Sequence, residues 1–77
     1  MLFQLHFTLF QAGRRPKYSG RILNEPDLVT AQAVADAYRR DYRRHKGILA
    51  ATIWDEAGEK SLAYYDNNTG EWMPVQY

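Results

Sequence analysis

A chain of 77 residues with a formal net charge of +1 has room for a single domain over residues 1–77 and carries no global bias toward nucleic acid. Its 45% hydrophobic share, with three phenylalanines, six tyrosines and two tryptophans, belongs to a folded chain and not to a disordered one. With no cysteine, disulfide staples, thiolate metal sites and a cysteine nucleophile are excluded, and no apolar run approaches the length of a membrane span.

From the amino end, Phe3, Leu5, Phe7 and Leu9 alternate with Gln4, His6 and Thr8, the period-two pattern of a half-buried strand over Leu2 to Gln11. The same stretch lacks a basic leader and a small-residue cleavage site, so it reads as structure and not as a signal peptide. Gly13-Arg14-Arg15-Pro16 supplies turn chemistry, and Lys17 to Leu23 follows as a second strand with Tyr18 and Ile22 on one face and Gly20 between them.

Asn24-Glu25-Pro26-Asp27 breaks the chain before a helical period begins. With Thr30 as N-cap, Val29 and Val34 take the spacing of a hydrophobic staple; a start at Asp27 adds less than a turn. Ala31, Val34, Ala35, Tyr38 and Tyr42 mark a core face, opposite Gln32, Asp36, Arg39, Arg40 and Arg43. Arg44, His45 and Lys46 complement the negative end of the helix dipole, and Gly47 ends the helix, whose stop is placed at about His45 or Lys46. Ile48 to Asp55, Ser61 to Asp66 and Glu71 to Tyr77 then read as strands separated by polar turns, with Pro74 confining the last one to an edge or a bulge. The expected fold is α+β: an antiparallel sheet of four to five strands in the order ββαβββ, with one helix packed on one face.

Two features suggest function. Arg39, Arg40, Arg43, Arg44 and Lys46 with His45 form a basic tract in which five cations meet one acid within eight residues. Asp36 pairing at i, i+4 and the dipole account for part of that charge. The remainder suits phosphates or an acidic protein surface, which arginine forks bind bidentately. Arg14, Arg15 and Lys17 form a second basic patch better explained by solvation. Among the aromatics Trp54, Tyr64, Tyr65, Trp72 and Tyr77, some must face away from the helix. Leu49, Ala51 and Ile53 on the helix side put Trp54 on the open face, where a ring can stack on a base or anchor an interface. Most of the other aromatics suit a small core.

Catalytic and cofactor chemistry have little to rest on. His6 and His45 lie on different elements without metal-ligand spacing, and the paired acids sit in solvated turns. Ser19 and Ser61 have no base in register, and the glycines are scattered singly. No enzyme activity, cofactor or metal is expected.

Lys46-Gly47 at the helix end, the strand Ile48 to Ile53, Leu62-Ala63-Tyr64 and Glu71-Trp72 together resemble the second half of a short phage anti-CRISPR protein that inhibits type I-F surveillance complexes. The resemblance covers about 30 residues. It implies a non-enzymatic protein of an infected bacterial cytoplasm that docks on Cas7-type backbone subunits and stops target DNA from pairing with guide RNA. The family's helix contacts would fall near Asp36, Ala37, Asp41 and Arg43. This chain departs from that pattern, carrying its arginines at Arg39, Arg40, Arg43 and Arg44, and Tyr65 and Glu71 where the family has basic tail residues. The expected partner-binding residues are thus Arg39, Arg40, Arg43, Arg44, Lys46, Trp54 and Tyr65, with Arg39 and Arg43 exposed. A direct nucleic-acid binder is the alternative, using the basic helix with Trp54 or Tyr65 as stacking platforms. A third reading is a phage structural protein or a homodimer joined through Glu71 to Tyr77.

Overall fold

The alternation at the amino end produces the central strand of the sheet. In a computed structural model describing residues 1–42 and 47–75, strands β1 (Leu2–Phe10) and β2 (Lys17–Asn24) precede helix α1 (Leu28–Tyr42). Strands β3 (Ile48–Trp54), β4 (Ser61–Asp66) and β5 (Glu71–Pro74) follow it. The strands form one antiparallel sheet ordered β2-β1-β3-β4-β5. The α+β order expected from the sequence is therefore the observed one, with α1 carrying the chain past β1 so that β3 pairs on the side of β1 away from β2.

Directly paired residues share a face, so the register assigns the positions of β1, β2 and β3 and those of β4 beyond the bulge opposite Ile53 and Trp54. Leu5 lies opposite Ile53, Phe7 opposite Ala51 and Leu9 opposite Leu49. Together with Phe3 and Leu23 these residues are buried beneath α1. Leu5 and Ile53 are the largest fully buried side chains, and burial of each contributes about 1.5–3 kcal/mol. Ala31 and Ala35 are fully buried on the helix; their small side chains let its backbone approach the sheet. Tyr42 stacks on Phe7 at 5.7 Å, adding an aromatic contact at the end of the described helix.

The helix starts earlier than the staple pattern predicts. Asp27 is its N-cap, for the Asp27 carboxylate accepts the Thr30 backbone N–H at 2.7 Å, and Val29 is exposed, not stapled. A charged acceptor outcompetes a hydroxyl for the positive end of the dipole. The expected helix stop at His45 or Lys46 lies outside the described residues. At the other end of the sheet, β5 is an edge strand and tolerates Pro74 for that reason.

Candidate functional site: the open face of the sheet

The predicted arginine surface comes apart at its first residue. Arg39 is buried, with 8% of its surface exposed. Its Nε donates to Asp36 Oδ1 at 2.9 Å, and its guanidinium lies 3.9 Å from the centre of the Tyr65 ring. Tyr65 in turn meets Trp72 edge-to-face at 5.6 Å. The expectation that Arg39 is exposed is thereby corrected: a flat, weakly hydrated guanidinium reaches from the helix over β4 and β5 and seals the core there. Tyr65 is likewise corrected as an open platform, because it shares the helix side of the sheet with Ala63 and already has a cation over its ring.

Arg40 does face solvent and pairs with the second Asp36 oxygen at 3.0 Å. Asp36 thus bridges two arginines. Burial pushes its carboxyl upward, but the hydrogen bond and charge of Arg39, with the charge of Arg40, outweigh that and hold it below its ordinary value. Arg43, Arg44 and Lys46 lie outside the described residues, as do His45 and Tyr77.

Trp54 is on the face away from the helix, as expected. Its ring lies 5.6 Å from that of His6, tilted by 31°, and its indole nitrogen is buried without a hydrogen-bond partner. Gln4 fixes the neighbouring polar group. Its Nε2 donates to the Glu56 carbonyl at 2.8 Å, which turns its Oε1 toward His6 Nε2 at 2.9 Å. Only a donating His6 Nε2–H satisfies that contact.

Around this centre the register gathers a set of side chains that the sequence reading did not assemble. Phe10 pairs with Ile48, Gln4 with Ile22, Thr8 with Tyr18 and Thr52 with Tyr64. Phe10, Tyr18, Ile22, Ile48 and Tyr64 are all exposed, Tyr18 by 77% and Ile22 by 65%. They lie on one face, and Gly20, opposite His6, opens a shallow depression there between Gln4, His6, Tyr18 and Ile22. The signal for this set was parity: every member has an even number on β1, β2, β3 or β4, but only the strand order shows that these positions share one face.

Among the described residues no cluster of three or more histidine, aspartate or glutamate side chains could hold a metal. No described helix is long and apolar enough to cross a membrane. Comparison with known protein families, curated proteins and solved structures finds no match.

Proposed function

We propose that this chain is a non-enzymatic binding protein that docks through the open face of its sheet on a ribonucleoprotein assembly, and that the assembly is a type I CRISPR surveillance complex in an infected bacterial cytoplasm. The observation that carries the docking reading is the exposure of Phe10, Tyr18, Ile22, Ile48 and Tyr64 on one uncovered face. Exposed aromatic and branched side chains sharing one face mark interaction surfaces, and aromatic anchors dominate their energetics. The target itself comes from the resemblance of the residues after Lys46 to a type I-F inhibitor. Docking there would cover the Cas7-type backbone and exclude target DNA. In a hybridisation assay with purified surveillance complex, prior addition of this protein is expected to block target-strand pairing; undiminished pairing at saturating protein would sink the inhibitor reading.

One observation favours a second reading. Arg14 and Arg15 are exposed in the β1–β2 connection, a few residues before Tyr18 at the rim of the open face. Cations together with an exposed ring suit a single-stranded nucleic acid. Such binding would weaken steeply with salt, so the absence of a mobility shift at low ionic strength would remove this alternative.

A further inference from the structure

We propose that β2 is a self-complementary pairing edge through which two copies of this chain join their sheets, centred on Gly20. The two outer strands differ in what they offer. β5 runs for four residues and ends at Pro74, which has no N–H to donate. β2 runs for eight residues and holds an unbroken register against β1 from Leu2 opposite Asn24 to Leu9 opposite Lys17. Natural edges are guarded by prolines, bulges or charges. β2 has neither a proline nor a bulge, and its central cation, Arg21, folds back over the Tyr38 ring at 4.4 Å.

Backbone geometry fixes which groups face outward. The Glu25 N–H donates to the Met1 carbonyl at 2.9 Å, so in this register the odd-numbered residues of β2 exchange hydrogen bonds with β1. The N–H and C=O groups of Tyr18, Gly20, Ile22 and Asn24 therefore point away from the sheet. An antiparallel copy can use them in few registers. Centring on Arg21 places Arg21 directly opposite its own copy, and centring on Ser19 places Lys17 opposite Arg21; each sets like charges together. Centring on Gly20 avoids both. It pairs Tyr18 with Ile22 of the second copy, Ser19 with Arg21, Lys17 with Leu23, and Gly20 with itself, forming about six hydrogen bonds through the three outward-facing pairs.

Paired residues share a face, so the dimer is a ten-stranded sheet with both helices on one side and both open faces merged on the other. A strand edge is a smaller interface than the roughly 800 Å² per partner of a standard one, so the association is expected to be weak.

Sedimentation equilibrium tests this. The wild-type chain is expected to dimerise across about 1–500 µM protein. Tyr18→Lys with Ile22→Lys sets lysines opposite each other and is expected to shift the chain to monomer. Tyr18→Lys with Ile22→Glu sets lysine opposite glutamate in this register and is expected to recover the dimer. All four side chains introduced are at exposed positions, and thermal melting of each variant checks that it folds. A wild-type chain that stays monomeric throughout that range, or a lysine–lysine variant that dimerises as the wild type does, would overturn the pairing edge. A lysine–glutamate variant as monomeric as the lysine–lysine one would overturn the Gly20-centred register. The pairing is independent of the docking target, since Ile48 and Tyr64 lie on the far strands of the open face and their substitution leaves the β2 edge intact.

Discussion

Asp36 lies 2.9 Å from Arg39 Nε and 3.0 Å from Arg40 Nε, and the two pairs differ in consequence because one arginine is buried and the other is exposed. Asp36→Ala leaves the Arg39 guanidinium buried without its carboxylate and is expected to cost roughly 2 kcal/mol. Arg40→Ala, at an exposed pair, is expected to change stability by less than about 0.5 kcal/mol. Arg39→Glu, which a solvent-facing arginine would tolerate, places a second carboxylate beside Asp36 in the core. It is expected to cost more than about 3 kcal/mol and to abolish a cooperative melt at ordinary temperature. Thermal or urea unfolding of the three variants checks the ranking. Asp36 also gives a pH signature. Its folded value lies below the ordinary value of 3.8, so the folded state binds fewer protons. The stabilisation is complete above about pH 4 and declines as pH falls through the lowered value. The difference in melting temperature between wild type and Asp36→Asn should therefore shrink on acidification below pH 4; a gap that widens there would contradict the assignment.

At the scale of elements, local chemistry was legible and competition between signals was not. Strand alternation in β1 and the β-branched run of β3 mark their elements to within a residue, and Pro74 correctly signals an edge. The helix start was misread because Thr30, Val29 and Val34 have the spacing of a cap and staple, whereas Asp27 accepts the Thr30 N–H. Asp27→Ala is accordingly expected to lower the melting temperature, with Asp27→Asn retaining most of the cap and Val29→Ser nearly silent. The other end of the connection depends on a glycine. Gly47 has φ +131°, and a Cβ there would meet the Phe10 carbonyl oxygen. Gly47→Ala is therefore expected to destabilise by about 2–3 kcal/mol, through strain and displacement of β1 from the start of β3. Ala35→Leu should cost about 1–3 kcal/mol for a related reason, since Ala35 is fully buried where the helix meets the sheet.

For the whole molecule, the layered fold was legible because each strand declares two faces and the helix can cover only one. Which side chains share the other face was not, since that depends on α1 carrying the chain past β1 so that β3 pairs on its far side. Until that crossover is known, Tyr18 and Ile22 on β2, Phe10 on β1, Ile48 on β3 and Tyr64 on β4 are isolated exposed residues. In the sheet they share one face. The sequence drew attention instead to the arginines, but the helix rotates Arg39 into the core and Arg40 out of it. Charge density along a helix does not specify a face; burial does. The central claim is that the open face, and not the exposed side of the helix, contacts the partner. It is tested most directly by measuring capture of purified type I surveillance complex by immobilised wild type, Ile48→Lys with Tyr64→Lys, and Arg40→Glu. Loss of capture by the sheet variant alone, with its melting temperature nearly unchanged, is the expected result; full capture by the sheet variant together with loss by Arg40→Glu would contradict it.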